Sequence, residues 1–247
     1  WSISNNKING HEVFQIEQKD KPKPDHVIFY LHGGGYIFKA TKHHWWFINR
    51  FLRRFSCTVI LPDYPISPDF TQEEMMEMVL KSYHQTAAKY GAEKIIVMGD
   101  SAGGGLSLSL VQQLKKEKAN QPKKVVLLSP WLDVSMNNPE IQKMAHLDPF
   151  LKVETAKMAA NAFCSGNNPE SEKYSPIYGD IIGLPQLSLF IGTHDILYPD
   201  CKKFKDLCQK QNISLNYYEY PKMIHVWMLF HLPESKMAMK DIFSIIE

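Results

Sequence analysis

The sequence predicts an α/β protein with a mostly parallel, doubly wound sheet, and three observations support this fold class. Strand-like and helix-like segments alternate along the 247 residues. Several strand candidates are continuous apolar runs, such as KIIVMG, VVLLS and LSLFIG, which indicate strands buried on both faces by helices. No internal repeat or low-complexity linker divides the chain, so we expect one domain over residues 1–247.

Seven segments are predicted as strands. They are Glu12–Gln18, His26–Leu31, Cys57–Leu61, Lys94–Gly99, Lys124–Ser129, Gln186–Gly192 and Ser214–Tyr220. A helix is predicted over residues 72–90, because Thr71 and Glu74 have capping-box spacing before it and Gly91 follows it. Other helices are predicted to follow Ser101, to precede Asn212 and to end near Ile246.

The segment 138–174 breaks the alternation of strands and helices. It has helical stretches but is longer than a simple crossover between two strands needs. We therefore predict a small helical insertion over the carboxyl edge of the sheet, where insertions form pocket walls and partial caps. Its larger apolar side chains suit a pocket cover and ordinary packing equally well. They are Met144, Phe150, Leu151, Met158 and Phe163.

Charge and hydropathy exclude several classes of function. Lysine and arginine number 28 against 26 for aspartate and glutamate, and no basic block is interleaved with aromatic residues, so a nucleic-acid partner is not expected. No apolar run approaches the roughly 18 residues that would span a bilayer, and no signal-peptide pattern opens the chain. We expect a soluble protein without stable membrane insertion, and the sequence leaves its oligomeric state open.

Cysteines and histidines give no sign of a disulfide or of a metal site. Cys201 and Cys208 lie on one predicted helix about 10 Å apart, too far for a disulfide. Reduced thiols and a cytoplasmic location are the expectation. The neighbouring His43 and His44 lack a carboxylate or thiol cluster, so we interpret them as surface or packing residues. No metal and no cofactor are predicted.

The first chemical motif is the stretch IIVMGDSAGGGLSL. A predicted strand ends at Gly99, Ser101 occupies the turn and a helix begins at once, which gives G-x-S-x-G in a strand-turn-helix context. This turn holds the serine in a strained conformation that projects its hydroxyl. Small residues at Gly99 and Gly103 let the strand and helix pass closely. Ser101 is therefore the candidate nucleophile.

The second motif is YLHGGGYIF, in which three glycines follow a buried strand. Attack of a serine on an ester puts negative charge on the carbonyl oxygen, and N–H donors aimed at this oxygen lower the barrier. Gly33, Gly34 and Gly35 can supply such donors from a loop without Cβ atoms. Ala102, at the start of the helix after the serine, adds a further N–H and a favourable dipole.

Together, HGGGY at His32–Tyr36 and GDSAGG at Gly99–Gly104 resemble the hormone-sensitive-lipase-like branch of the α/β-hydrolases, which contains many bacterial esterases. The resemblance runs from about residue 26 to the C-terminus. It implies an α/β-hydrolase fold, a Ser–Asp–His triad in that chain order and hydrolysis of carboxylic esters without a cofactor. The chain departs from the family in DYPISPDF, Asp63–Phe70, which lacks the Arg and Glu often found there.

Two aspartates compete for the acid of such a triad. Asp195 follows the predicted strand that ends in LFIG, and the resemblance implies that it is the acid. Asp133 in SPWLDV also follows a strand end and is the rival.

The candidate base is His225, which follows the last predicted strand and would emerge at the same sheet edge as Ser101. The resemblance implies that it takes the serine proton. His194 is expected to point elsewhere, and His231 is expected in the following helix. His32 is interpreted as a structural loop residue.

These features predict a carboxylesterase or lipase-like serine hydrolase acting on small-molecule esters with short acyl chains. An amidase, peptidase or thioesterase on the same fold is the alternative, because the triad also cleaves amides. A non-catalytic binding relative is less favoured, because candidates for all three triad members are present. Little chain precedes the strand HVIFYL to form a lid, so we expect only a partial cover over the pocket.

Overall fold

The computed structural model describes residues 1–18 and 24–247. The strands in these ranges are β1 (Ser2–Ile8), β2 (His11–Glu17), β3 (His26–Leu31), β4 (Cys57–Pro62), β5 (Ile95–Asp100), β6 (Lys124–Leu128), β7 (Gln186–Gly192) and β8 (Leu215–Tyr220). The α-helices are α1 (Lys42–Arg54), α2 (Gln72–Tyr90), α3 (Ala102–Lys116), α4 (Pro139–Met144), α5 (Val153–Cys164), α6 (Tyr198–Lys210) and α7 (Pro233–Ile246).

All eight strands form one sheet in the order β1-β2-β4-β3-β5-β6-β7-β8. Strands β3 to β8 run parallel to one another, and β1 and β2 add an antiparallel hairpin at one edge. The predicted mostly parallel α/β sheet is confirmed. The seven predicted strands are present with ends shifted by at most one residue.

Helices cover both faces of the sheet because the side chains of each strand alternate between two apolar layers. In β3, Phe29 contributes to the layer under α2, α3 and α6, whereas Ile28 contributes to the layer under α1 and α7. The predicted helix 72–90 is confirmed as α2. Its capping box is formed, with the Glu74 N–H donating to Thr71 Oγ1 at 3.2 Å and the Thr71 N–H donating to Glu74 Oε2 at 2.8 Å.

Two elements were not predicted from the sequence. Strand β1 is polar and mostly exposed, and only Ile8 at its end is buried. Helix α1 carries its buried residues at helical spacing, at His44, Phe47, Ile48, Phe51 and Leu52. His44 therefore faces the interior.

The parallel strands bring the candidate residues to one edge of the sheet. Ser101 follows β5, Asp195 lies three residues after β7, and His225 lies in the loop after β8. The segment 138–174, between β6 and β7, contains α4 and α5. As the carboxyl ends of parallel strands share an edge, this edge can hold one site.

Candidate active site

Ser101 occupies a strained turn between β5 and α3, with φ 52° and ψ −122°. The glycines on either side have the steric role predicted for them. A Cβ atom on Gly103 would collide with the carbonyl oxygen of Leu31 in the neighbouring strand, and one on Gly99 would collide with the carbonyl oxygen of Gly103. The close crossing of strand and helix therefore requires glycine at both positions and leaves the serine at the tip of the turn.

A chain of hydrogen bonds joins three of the predicted site residues. His225 Nε2 lies 2.9 Å from Ser101 Oγ, and His225 Nδ1 lies 2.8 Å from Asp195 Oδ2. The second Asp195 oxygen accepts the Leu197 N–H at 2.9 Å, which fixes the carboxylate. Because Asp195 accepts a hydrogen bond from the Nδ1–H of His225, the Nε2 atom of the neutral ring is the acceptor that faces the serine hydroxyl.

The electrostatics of His225 follow from its surroundings. Burial by itself lowers the pKa of this histidine, but the charge of Asp195 and the hydrogen bond to it raise the pKa above the ordinary value for histidine. The charges of Asp148 and Asp100 act in the same direction. The environment therefore stabilises the protonated form of His225 relative to a histidine in water.

The rival acid, Asp133, has other partners. Its carboxylate accepts from Tyr178 Oη at 2.6 Å and from the Ser135 N–H at 3.0 Å, and its side chain is buried away from His225. These bonds stabilise the loop after β6. Asp195 is the carboxylate that contacts the histidine.

The other histidines are placed as follows. His32 is buried and stacks on Tyr64 with ring centroids 4.2 Å apart, as expected for a structural loop residue. His194 is partly buried, and its backbone N–H donates to the Met223 carbonyl at 3.0 Å. The expectation that His231 lies in a helix is wrong, because α7 begins only at Pro233 and His231 is exposed.

The three loop glycines differ from one another. The Gly33 N–H donates to Asp100 Oδ1 at 3.0 Å and is therefore already occupied. Gly34 and Gly35 have φ of 128° and 61°, values that favour glycine, and both line the cavity beside Ser101. Their N–H groups have no hydrogen-bond partner among the residues that the structure describes. Ala102 is the first residue of α3, so its N–H also lies outside the helical hydrogen-bonding pattern.

Asp100 was not singled out from the sequence, yet it organises the glycine loop. Its carboxylate is buried and accepts from Tyr30 Oη at 2.6 Å as well as from Gly33, and His44 Nε2 lies 3.4 Å from its other oxygen. Burial raises the pKa of Asp100, but the His44 ring and these hydrogen bonds outweigh it and hold the pKa below the usual range. Asp100, the residue before Ser101, thus anchors the glycine loop through Gly33.

An apolar cavity of about 410 Å³ opens above Ser101 and His225. Side chains from the glycine loop, α5 and the loops after β6 and β8 line it, among them Ile37, Trp131, Leu151, Ala159, Leu229 and Phe230. The cavity can hold an apolar group of a substrate directly over the serine hydroxyl.

The five apolar residues of the segment 138–174 divide between the two roles considered above. Phe150 and Leu151 line the cavity. Phe163 is instead a core residue, stacked on Tyr36 with centroids 3.8 Å apart. Met158 is 71% exposed, and Met144 is partly buried outside the cavity lining. The segment therefore contributes the loop between α4 and α5, and α5 with its Ala159, to the lining of the cavity.

Fold and site together define the class of protein. A family model described as alpha/beta hydrolase fold matches residues 28–229, so the chain belongs to the α/β-hydrolase family. Among similar proteins, an esterase from Acinetobacter venetianus is 26% identical over 239 residues, covering 95% of this chain and 77% of the relative. An acetyl-hydrolase from Streptomyces hygroscopicus is 25% identical over 217 residues, covering 87% of this chain and 73% of the relative.

The solved structures narrow the class. An esterase from the bacterial hormone-sensitive lipase family superposes with a TM-score of 0.92 at 28% identity, covering 99% of this chain and 83% of the other. Within the α/β-hydrolases, the protein is accordingly a serine hydrolase of the hormone-sensitive-lipase-like branch, as its two glycine motifs indicated.

Two further observations concern metal and membrane. In the ranges 1–18 and 24–247, histidine, cysteine, aspartate and glutamate side chains form no group of three that could hold a metal ion. Among the helices of the same ranges, none has both the length and the apolar character needed to cross a bilayer.

Proposed function

We propose that this protein is a carboxylesterase for esters with short acyl chains, with Ser101 as nucleophile, His225 as base and Asp195 as acid. The observation that carries the proposal is the unbroken hydrogen-bond chain from Ser101 to Asp195 at the floor of an apolar cavity. The names of the relatives, an esterase and an acetyl-hydrolase, support carboxylic esters as the substrate class.

The geometry supports the following sequence of steps. Ser101 Oγ attacks the ester carbonyl while its proton moves to His225 Nε2, and Asp195 stabilises the imidazolium that forms. The imidazolium then protonates the alcohol oxygen as it leaves, which produces an acyl-serine. Water attacks this intermediate while His225 takes its proton, and the imidazolium then returns that proton to Ser101 Oγ as the acyl–serine bond breaks and the free acid leaves.

The negative charge that develops on the carbonyl oxygen needs donors near Ser101. We assign this role to the N–H groups of Gly34, Gly35 and Ala102, because they border the cavity or begin the helix after the nucleophile. Gly33, also a candidate from the sequence, has a different task, since its N–H donates to Asp100. Each donor of this kind contributes about 3–4 kcal/mol to lowering the barrier.

The acyl preference follows from the size and cover of the cavity. Each methylene that becomes buried gains about 0.8 kcal/mol, or roughly fourfold in kcat/KM when the gain is realised in the transition state. The cavity is apolar but limited, and Phe150 at its border remains 52% exposed. The first few carbons of an acyl chain therefore add to binding, and further carbons remain in water.

The test combines active-site labelling with a substrate panel. A fluorophosphonate probe is expected to label the protein once, at Ser101. The variant Ser101→Ala is expected to lose both labelling and hydrolysis of p-nitrophenyl esters, because the hydroxyl that forms the acyl intermediate is gone. Ser109→Ala, a change on the same helix away from the site, is the matched control and is expected to retain both.

The p-nitroanilides and thioesters of the same acyl groups are measured beside the p-nitrophenyl esters. A higher rate on amides or thioesters than on esters would show that the protein is an amidase or a thioesterase and not a carboxylesterase. Wild-type turnover in Ser101→Ala would overturn the assignment of the nucleophile.

A further inference from the structure

A buried carboxylate in the segment 138–174 joins two parts of the site. Asp148 lies between α4 and α5 and is 1% exposed. Its Oδ1 accepts the N–H groups of Phe150 at 2.8 Å and Leu151 at 2.9 Å, and its Oδ2 accepts the Ile196 N–H at 3.0 Å. One side chain thus holds the loop over the cavity to the loop after β7.

One of these loops carries the proposed acid, and the other forms part of the pocket wall. Ile196 directly follows Asp195 in the chain, so the bond from its N–H fixes the backbone that presents the acid. Phe150 and Leu151 line the cavity, and the Phe150 ring lies 6.1 Å from the His225 ring. Asp148 therefore ties the loop of the acid directly to the wall of the pocket.

The hydrogen bonding of Asp148 is that of a charged group satisfied by the backbone. Three N–H donors converge on its two oxygens, and such charge-assisted bonds are stronger than bonds between neutral groups. Within the described ranges no lysine or arginine forms an ion pair with it. The charge instead acts on His225, together with Asp195 and Asp100, which all raise the pKa of this histidine against the opposing effect of burial.

We infer that Asp148 is a positioning residue that locks the wall of the acyl pocket to the acid of the triad. The inference rests on the function proposed above. It goes beyond that function, because it assigns one residue joint control over the placement of Asp195 and over the selection of acyl chains.

Two variants separate the local and the long-range bonds of Asp148. Asp148→Ser keeps an oxygen that can accept from the N–H groups two and three residues later, as serine does in turns, but it is too short to reach Ile196. Asp148→Asn keeps the size and removes the charge. Because its amide has only one oxygen, its NH₂ group must face at least one of the three N–H donors. Asp133→Asn is the matched control, a buried and hydrogen-bonded aspartate on another loop.

Steady-state kinetics on p-nitrophenyl acetate, butyrate and octanoate are measured from about pH 5 to pH 9, the range in which histidine titrates, together with thermal melting. Both Asp148 variants are expected to lose up to about 100-fold in kcat, the scale of a displacement of about 1 Å in an active site. The acid limb of kcat/KM is expected to move to lower pH, because a negative charge that raises the pKa of His225 is lost. The ratio of butyrate to acetate rates is expected to fall. Asp133→Asn is expected to leave the acid limb and the acyl ratio unchanged and to lower kcat by less than about tenfold.

Two results would overturn the inference. A pH profile and an acyl ratio that match the wild type in folded Asp148→Ser would overturn it. A loss of kcat in both variants with an unmoved acid limb would also overturn it, because it would show a merely structural role. If Asp148→Asn does not melt cooperatively, Asp148→Ser decides alone. Failure of the proposed function is seen separately, as absent labelling of Ser101 in the wild-type protein.

Discussion

Replacing Gly34 by alanine tests the glycine loop most directly. With φ at 128°, residue 34 has a backbone conformation that an L-residue rarely adopts, at a cost of about 1–3 kcal/mol. A Cβ atom there would lie 2.5 Å from the carbonyl oxygen of Phe38. The Phe38 N–H donates to the Gly34 carbonyl at 2.9 Å, so the collision opens the turn that shapes the loop. Displacement of an oxyanion donor costs about 10²- to 10³-fold in kcat.

Gly35→Ala is the matched control for Gly34→Ala. Gly35 has φ 61°, which an L-residue adopts at a cost of about 1–2 kcal/mol, and its added Cβ would lie 3.4 Å from the Cβ of Ala159. We expect Gly35→Ala to lose a few degrees in Tm, at about 2–4 °C per kcal/mol for a chain of this size, and less than about tenfold in kcat.

The assay is kcat for p-nitrophenyl acetate beside a thermal melt of each variant. A folded Gly34→Ala enzyme that turns over within about threefold of the wild type, a difference of under 1 kcal/mol in barrier, would refute the assignment of oxyanion donors to this loop. A larger loss of kcat in Gly35→Ala than in Gly34→Ala would show that the loop depends more on glycine at residue 35 than at residue 34.

Three other predictions concern the triad and the pocket. Asp195→Asn is expected to lower kcat by about 10⁴-fold, because an amide favours the wrong imidazole tautomer, whereas Asp133→Asn is expected to lower it by less than about tenfold. The reverse order would make Asp133 the acid. Activity is expected to fall as the pH drops through the raised pKa of His225, because only the neutral ring accepts the serine proton. An acid limb of kcat/KM below the ordinary histidine pKa would contradict the described environment. A p-nitrophenyl ester series from two to sixteen carbons, with a triolein emulsion beside it, is expected to peak between acetyl and hexanoyl. A rate that climbs past ten carbons would show a longer acyl site than the cavity described above.

The sheet and the positions of the three proposed triad residues could be predicted because their sequence signals are local. Ser101 lies in a motif of five residues with a strand before it and a helix after it. Asp195 and His225 follow strand ends, and parallel strands bring their carboxyl ends to one edge of the sheet. The shared edge needed only short windows of sequence and a rule about sheets, whereas the choice of Asp195 as acid and His225 as base also depended on the family resemblance.

Two elements were missed although a local signal existed. The turn between β1 and β2 is Asn9-Gly10, with φ of 50° and 85°, and this dipeptide favours the hairpin turn that requires positive φ at both positions. Helix α1 likewise has its apolar residues Phe47, Ile48, Phe51 and Leu52 at helical spacing.

The contacts of Asp100 and Asp148 could not be read from the sequence. Asp100 meets Tyr30 across 70 residues of chain, and Asp148 meets Ile196 across 48. Such pairs depend on the exact placement of loops over the sheet, which no periodicity specifies. The same holds for Gly33, since only the folded loop shows that its N–H turns toward Asp100.

The bond between Ser101 and His225 spans 124 residues of the chain, and this separation has a consequence for folding. The base lies after β8, the strand at the far edge of the sheet from β1. A chain still emerging from the ribosome, or refolding from denaturant, acquires its nucleophile turn from local segments but cannot complete the site until β8 pairs with β7. Contacts between distant segments form late, because closing a long loop costs entropy before the contact stabilises it. Recovered hydrolysis therefore reports the completion of the sheet.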